Sequence, residues 1–301
     1  MLTRSEFEDL MDQIDRELNR DGYLFHQRPM HAFSRLIRKI DPKGSFPISR
    51  STSLDIDDFS NTALFDQVHT WYEEKYGDRI KIHMGPGSYV LVIKDEPWKV
   101  DFPLIFGQIS FTIDSDLSKK DRHVIGSTGK KIPSVNILSH VENMTVKVAS
   151  SLSASECESI LREYMFALNA VQHMRDLKAA PYMEQAVNDY DMAVKNLFYK
   201  YPDYNNSKWS SLQFAEKTLK SKLESNGIPF KRNHNLADLS KKLEALVPTV
   251  PRKILDNIQC SAGVRYGEER VVKHEAISAL QSALALYSQV FEASAFAMNE
   301  S

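Results

Sequence analysis

Residues 89–106 read YVLVIKDEPWKVDFPLIF, and this stretch decides the fold class. Its first five residues, Tyr89 to Ile93, form an unbroken apolar run rich in β-branched side chains, which is typical of a buried strand. A turn at Asp95-Glu96-Pro97 leads into a second strand-like run from Trp98 to Phe106. The chain is therefore expected to contain a β-sheet.

Neighbouring segments extend the predicted sheet. Ile80 to Met84 alternates between apolar and polar residues, and Gly85-Pro86-Gly87 predicts a turn, so Arg79 to Ile93 is expected to form a hairpin. Gln108 to Ile113 is a further candidate strand. The segment from Asp114 to Pro133 is polar and locally basic, which predicts a loop.

Amphipathic helices lie on both sides of this sheet region. Apolar residues recur at helical spacing in Ser5–Asn19, Met30–Ile40 and Leu64–Tyr76. From Ser155 onward the chain is helical, with Ser153-Ala154-Ser155-Glu156 as a capping box, and consecutive amphipathic helices predict a bundle. We therefore predict an α+β protein: a mixed or antiparallel sheet with helices in residues 1–150, followed by an all-α bundle in residues 151–301.

The composition narrows the functional classes. The chain has 301 residues, a net charge of −2 and a pI near 6.5, so any nucleic-acid contact must come from a local basic patch. Its two cysteines, Cys157 and Cys260, lack the spacing of a disulfide framework or a zinc site. With no signal-peptide pattern and no apolar span, we expect a cytoplasmic protein without a membrane partner.

Three acidic residues predict the chemistry of the first domain. Asp55 and Asp57 are one residue apart, so on a strand both carboxylates project to the same face. Such carboxylates repel each other unless a divalent cation is bound between them. Asp101 is the candidate third ligand of a two-metal site for phosphoryl or nucleotidyl transfer. Two alternatives stay open: Asp55 and Asp57 as helix N-caps, and Asp101 as an outward-facing strand residue.

The Gly44-Ser45 turn, Asp55-Ile56-Asp57 and Val100-Asp101-Phe102-Pro103 together resemble the nucleotidyltransferase superfamily. That family combines Gly-Ser, a short gap, Asp-apolar-Asp and a third acid on a later strand. The chain departs from the pattern where Ile40-Asp41-Pro42-Lys43 leads into the turn, and where Asp58 follows the second acid.

The resemblance implies a set of roles for these residues. Mg²⁺ or Mn²⁺ would be held by Asp55, Asp57 and Asp101, with Asp101 also helping to deprotonate the acceptor hydroxyl. A nucleoside triphosphate, the substrate, would lie against Gly44 and Ser45 with help from Arg50. The alternative is that residues 42–53 form a surface loop that connects a helix to a strand.

The helical region resembles a second family. Ala215-Glu216-Lys217-Thr218-Leu219-Lys220, Asn233-His234-Asn235-Leu236 and Val264-Arg265-Tyr266-Gly267 resemble the HEPN domain, common in prokaryotic defence and toxin–antitoxin proteins. Many members are metal-independent RNases in which a His acts as acid or base and a nearby Arg stabilises the phosphate.

The catalytic spacing of that family is not reproduced here. Eight residues separate Arg265 from His274, and three separate Arg270 from His274. Arg265-Tyr266-Gly267 is closer to the non-catalytic members, which pair with nucleotidyltransferases. The alternative for His234 and Arg265 is helix capping and a surface ion pair.

Three hypotheses follow. The first is an Mg²⁺-dependent nucleotidyltransferase-like enzyme with a HEPN-like bundle, related to antiviral defence or toxin–antitoxin systems. The second is a HEPN-type RNase or toxin effector that cuts RNA with Arg265, Arg270 and His274. It would act as a homodimer formed through its helical domain. The third is a catalytically silent nucleotide-binding protein that acts through a partner protein.

Overall fold

The computed structural model describes most of the chain, and everything below refers to that part. The described residues are 2–44, 46–48, 58–80, 85–105, 107–118, 122–126, 129–230 and 234–291. The chain divides into two compact units, residues 1–83 and 84–301, which we describe separately.

The first unit is built on helices. They are α1 (Arg4–Arg20), α2 (Arg28–Ile40) and α3 (Leu64–Tyr76), followed by a 3₁₀ turn at Gly77–Ile80. Helix α1 begins with a capping box between Thr3 and Glu6. Its apolar stripe, with Met11 and Ile14 fully buried, packs against Leu36 of α2 and Tyr72 of α3. The helices predicted from periodicity are therefore confirmed.

A buried ion pair lies inside this unit. The Arg28 Nη1 atom lies 3.3 Å from Asp15 Oδ1, and both side chains are 5% exposed. Arg28 also donates to Asn19 Oδ1 at 2.6 Å and to the Tyr23 carbonyl oxygen at 2.9 Å. The Tyr76 hydroxyl is a further partner of Asp15. Each buried charge thus has the partners that burial demands.

The second unit opens with a hairpin whose partners differ from the prediction. Strand β1 (Ser88–Ile93) pairs antiparallel with β2 (Glu96–Asp101), so Ser88 lies opposite Asp101. The connecting residues Lys94 and Asp95 have φ of 52° and 63°, which is the two-residue turn that suits the twist of a hairpin. The sequence predicted that Ile80 to Met84 would form the partner strand of this hairpin. This is wrong for Ile80, which ends the 3₁₀ turn. Residues 81–84 lie outside the described residues.

A second, mixed sheet follows. It contains β3 (Ser110–Thr112), β4 (Arg122–Ile125) and β5 (Lys131–Asn136) in the order β3-β5-β4. Strand β3 runs parallel to β5 and β4 antiparallel to it. Thus part of the segment predicted to be a loop forms strands.

Helices complete the second unit. They are α4 (Val146–Ala149), α5 (Ala154–Asp176), α6 (Met183–Leu197), α7 (Tyr204–Ser225), α8 (Leu236–Lys241), α9 (Arg252–Ile258), α10 (Ala262–Arg265) and α11 (Lys273–Phe291), with a 3₁₀ turn at Ile137–His140 after β5. Helix α7 packs on α6 and α11, where Phe214 stacks on Tyr287 with ring centroids 5.9 Å apart. The α+β fold class and its helical C-terminal region are confirmed.

The hairpin and the helices share one core. Phe102 and Tyr164 pack edge to face with centroids 5.2 Å apart, and both are fully buried. The compact units therefore divide at residues 83 and 84, whereas the sequence places a domain boundary between residues 150 and 151. The boundary at residue 150 stays a prediction about modules in the sequence. No helix in the described ranges is long and apolar enough to cross a bilayer.

Candidate functional site

Asp101, the predicted third metal ligand, takes part in an ion pair at the end of β2. Its Oδ1 accepts a hydrogen bond from the Ser88 hydroxyl at 2.6 Å and lies 3.2 Å from Lys99 Nζ. Lys99 also lies 3.3 Å from Glu142 Oε2. These contacts give Asp101 a structural partner on each side, as expected for a half-exposed carboxylate at a sheet edge.

The other residues of the predicted metal and nucleotide site are mostly outside the described residues. This applies to Ser45, Arg50, Asp55 and Asp57. Gly44 is described, and its N–H donates to the Asp41 carbonyl oxygen at 3.1 Å in a turn after α2. Within the described ranges, no group of three or more His, Cys, Asp or Glu side chains is arranged to hold a metal ion. The Mg²⁺ or Mn²⁺ site and the nucleotide site stay predictions.

The side-chain amide of Asn205 helps to hold the segment that carries the predicted RNase residues. Asn205, in the first turn of α7, donates to the carbonyl oxygens of Val264 and Glu269 at 2.8 and 2.7 Å. Its Oδ1 accepts from the Val271 N–H at 2.9 Å. One side chain thus satisfies three backbone groups, one in α10 and two in the α10–α11 loop (residues 266–272). Asn205 fixes this loop against α7.

The predicted residues Arg265, Arg270 and His274 are all exposed, but only Arg265 has a ring partner. The Arg265 guanidinium carbon lies 5.7 Å from the centroid of the Trp209 ring. Arg270, in the loop, and His274, in the first turn of α11, make no hydrogen bond or ion pair with any described residue. Nor does a contact of this kind join Arg265 to either of them. The structure therefore does not bring the three together through direct contacts.

A second histidine has a more organised environment. His234 Nδ1 lies 2.6 Å from Glu216 Oε2, and the Glu216 side chain is 5% exposed whereas that of His234 is 65% exposed. The other carboxylate oxygen of Glu216 pairs with Lys220, one helical turn along α7. A carboxylate that accepts from Nδ1–H fixes the ring orientation and leaves Nε2 to exchange a proton with a ligand.

Contacts on the backbone side also hold His234. The Asn235 side chain caps α8 by accepting from the Ala237 and Asp238 N–H groups. The Gln259 side chain donates to the His234 carbonyl oxygen at 3.2 Å. The backbone of His234 is therefore fixed from α8 and from the end of α9, so its imidazole has a defined position on α7.

The Trp209 ring connects this histidine to Arg265. Trp209 and Glu216 are seven residues apart, so they share one face of α7. The centroids of the Trp209 and His234 rings lie 6.3 Å apart, and the Arg265 guanidinium approaches the same indole. We call Trp209, Glu216, His234 and Arg265 the α7 site. It places an exposed imidazole and a guanidinium against one indole, and both are residue types that can act on a phosphate ester.

A surface cavity adjoins the α7 site. It has a volume of about 590 Å³ and is lined by His234, Asn235, Asp238, Arg252 and Gln259, among others. This volume lies within the range of about 300–1,000 Å³ typical of ligand pockets. The Arg252 guanidinium is paired with Asp256 at 2.8 Å, so the two side chains together add no net charge to the cavity wall.

The nearby thiol is unsuited to nucleophilic chemistry. Cys260 is partly buried behind Gln259, and burial raises the pKa of its thiol to about 11. Since only the thiolate is a strong nucleophile, Cys260 remains protonated and unreactive at neutral pH.

Sequence reasoning found part of this site and missed the rest. His234 was noted as part of the HEPN-like pattern and Arg265 as a predicted RNase residue, and the alternative for both was helix capping and a surface ion pair. Instead, His234 bonds to Glu216 and Arg265 lies against Trp209. The seven-residue spacing of Trp209 and Glu216 was the available signal for a shared helix face. No sequence signal pairs Glu216 with a histidine in a different element.

Comparison with known proteins supports one of the two resemblances. The family model of the HEPN domain matches residues 179–292. The match begins just before α6 and includes every residue of the α7 site, so the C-terminal part of the chain is HEPN-like, as predicted. No curated protein and no solved structure matches the chain. Nothing in these comparisons supports a nucleotidyltransferase-like N-terminal domain.

Proposed function

We propose that the protein is a HEPN-type effector that cleaves RNA at the α7 site. One observation carries the proposal: the exposed imidazole of His234 is oriented by the buried Glu216 and lies on the same indole as the Arg265 guanidinium. The HEPN match over residues 179–292 supports RNA as the substrate, because many HEPN domains are RNases.

The reaction requires no more than these groups and the RNA itself. Nε2 of the neutral His234 imidazole accepts the proton of a 2′-hydroxyl while the 2′-oxygen bonds to the adjacent phosphorus. The bond from phosphorus to the 5′-oxygen breaks, and the imidazolium returns its proton to that oxygen. The products are a 2′,3′-cyclic phosphate and a 5′-hydroxyl. A positioned acid–base group of this kind contributes roughly 10²–10⁴-fold to a rate.

Arg265 and Glu216 have separate roles in this reaction. Arg265 faces the phosphate oxygens, where negative charge accumulates as the 2′-oxygen attacks, and a guanidinium can bond to two of them at once. Glu216 touches the imidazole and not the substrate, so it is a positioning residue. It also stabilises the imidazolium that forms in the first half of the reaction.

A second location for the same chemistry is the pair Arg270 and His274. Both side chains are exposed and uncommitted within the described ranges, and an Arg shortly before a His fits the family in kind, although not in spacing. Arg265, Arg270 and His274 were the RNase residues expected from the sequence. The test below separates the two locations.

The test is cleavage of an end-labelled single-stranded RNA in the presence of EDTA. We expect the His234→Ala variant to be slower than wild type by about 100-fold or more, and Arg265→Ala by a similar factor. The matched controls are His123→Ala and Arg162→Ala, at exposed positions on β4 and α5. Loss in Arg270→Ala and His274→Ala, with His234→Ala active, would move the site to the start of α11.

Other outcomes would overturn the proposal. A wild-type protein that leaves RNA intact, but transfers label from ATP or GTP in Mg²⁺ and loses this in Asp55→Ala/Asp57→Ala, would establish the nucleotidyltransferase hypothesis. A protein with neither activity would be the silent interaction protein.

We further propose that the protein acts in prokaryotic defence or a toxin–antitoxin pair and forms a homodimer through its helical region. The HEPN likeness supports both statements. Light scattering of the purified chain measures the dimer directly, with a mass near twice 34.4 kDa expected and a mass of 34.4 kDa contradicting it.

A further inference from the structure

Exposed tyrosines with adjacent cations gather in two loops of the second unit. Tyr201, between α6 and α7, is 80% exposed, and Tyr266, at the start of the α10–α11 loop, is 71% exposed. Rings this exposed add little to the core. Proteins commonly bind single-stranded nucleic acid by stacking its bases on solvent-exposed aromatic rings that lie beside positive charges.

Each ring has a cation within cation–π distance. The Lys200 Nζ atom lies 5.7 Å from the Tyr201 centroid, and the Arg265 guanidinium carbon lies 5.9 Å from the Tyr266 centroid. A base that stacks on such a ring brings its phosphate beside the ammonium or guanidinium group. The arrangement therefore offers both contacts that a single strand makes.

Both loops meet at the N-terminal end of α7. Residues 198–203 lead directly into α7, where Asp203 caps the helix and its N–H donates to the Asn196 carbonyl oxygen at 2.8 Å. Two residues later, Asn205 binds the backbone of Val264, Glu269 and Val271. Tyr201 and Tyr266 are thus tied to the same turn of one helix.

The α7 site begins at this end of the same helix. Trp209 lies one helical turn after Asn205, and Glu216 lies eleven residues after it, or about 16 Å along the axis. Arg265 contacts both Tyr266 and Trp209, so it connects the tyrosines to the site. A strand stacked on the tyrosines would reach His234 by following one face of α7.

The charge at this end suits a polyanion, although the whole chain is slightly acidic. Lys200, Arg265 and Arg270 are exposed here, opposed by the exposed Glu268 and Glu269. Glu269 is already bonded to the Ser261 hydroxyl. Local positive charge is what a protein of net charge −2 needs to hold phosphates.

We infer that Tyr201 and Tyr266 stack bases of single-stranded RNA and deliver the strand to the α7 site, with Lys200 and Arg265 holding its phosphates. This inference rests on the proposed function for its choice of RNA. It makes the two tyrosines specificity residues for unpaired over duplex substrate, because bases in a duplex are stacked on each other and cannot stack on protein rings.

Binding by fluorescence anisotropy tests this, with a labelled oligouridine and with a labelled RNA duplex of equal length. The protein is the full chain carrying His234→Ala, so that cleavage does not interfere. We expect Tyr201→Ala and Tyr266→Ala each to weaken binding of the single strand by about tenfold. Tyr201→Phe and Tyr266→Phe should bind as the parent does, because the ring is kept. Lys200→Glu should also weaken binding and reduce its dependence on salt concentration, because one phosphate contact is lost.

The matched control is Tyr182→Ala. Tyr182 is 40% exposed, lies at the opposite end of the α6–α7 pair, and has no described cation over its ring. Unchanged affinity in both alanine variants, or duplex binding as tight as that of the single strand, would overturn the inference. Cleavage is measured separately, so a protein that binds through these tyrosines without cleaving refutes the proposed function alone.

Discussion

Two buried carboxylates, one in each compact unit, differ in the partners that balance their negative charge. Asp15 in the first unit and Glu216 in the second are both 5% exposed at the side chain, and each is bonded to more than one partner. The partners of Asp15 are Arg28, Lys75 and Tyr76. Glu216 has Lys220 and the largely exposed His234.

The difference separates a closed network from an open one that includes an exposed imidazole. Around Asp15, the most buried partner, Arg28, is as inaccessible as the carboxylate. Around Glu216, the outermost partner is the imidazole of His234, which is largely exposed. Burial of the carboxylate is shared by both networks. Exposure of the imidazole partner distinguishes the α7 site.

The largest effect is expected from breaking the closed network. Arg28→Ala leaves Asp15 buried without its main partner, which should reduce the free energy of unfolding by about 3–5 kcal/mol. Urea denaturation followed by circular dichroism measures this. Arg35→Ala is the control, because Arg35 is in a half-exposed pair with Glu17 and Asp21 and should cost less than about 1 kcal/mol. Equal effects of the two variants would show that burial of the Asp15 network adds nothing.

Neutralising Glu216 in the open network should lower the free energy of unfolding and also disturb the position of the His234 ring. Glu216→Gln leaves Lys220 buried beside a neutral group, with an expected loss of about 1–3 kcal/mol. It also weakens the acceptor of the His234 Nδ1–H bond, so the NMR resonance of that proton should move or vanish.

The control for this variant is Glu224→Gln, an exposed position further along α7. It should change neither the free energy of unfolding nor the imidazole resonance. An unshifted His234 resonance in Glu216→Gln would contradict a positioning role for Glu216.

A smaller effect is expected where the α10–α11 loop is anchored. Asn205→Ala removes three hydrogen bonds to backbone groups, so the Val271 amide should exchange with deuterium faster, by roughly tenfold or more for a loss near 1.4 kcal/mol. Asn206→Ala, next to it, removes one bond to Asp203 and should leave Val271 protected. Unchanged exchange in Asn205→Ala would mean that the loop is held by other contacts.

The smallest effect concerns Glu156, a partly exposed carboxylate at the start of α5. Glu156 bonds to Lys94 and to the Ser153 cap, and these bonds lower its pKa from 4.5 to about 2. A lowered folded-state pKa contributes stability above about pH 4.5, and this contribution is lost as the pH falls towards 2. Thermal melting of wild type and Glu156→Gln should therefore differ at pH 6 and converge near pH 2. A difference that persists at pH 2 would contradict this assignment.

The helices could be predicted from the sequence because periodicity and caps are local. The capping box at Ser153 and Glu156 is present as predicted, and α7 and α11 lie in the region predicted to be helical from Ser155 onward. The hairpin was harder because its turn places Lys94 and Asp95 at positive φ, where Gly or Asn is the usual signal. That turn sets the register that brings Ser88 opposite Asp101.

The candidate site could be predicted only in part. His234 and Arg265 stand out as polar residues beside helix starts and turns, but their partners depend on tertiary packing. Glu216 and His234 are eighteen residues apart, and their pairing depends on the chain returning from the end of α7 to its middle. Asp55 and Asp57 lie outside the described residues, so the carboxylate pattern remains a prediction from the sequence.

The measurement that tests the central claim most directly is the ratio of RNA cleavage rates of wild type and His234→Ala, at neutral pH with EDTA present. The account predicts a ratio of about 100 or more under conditions in which both proteins are folded. Equal cleavage by both proteins would contradict the assignment of His234 as the acid–base group and would leave its bond to Glu216 a purely structural contact.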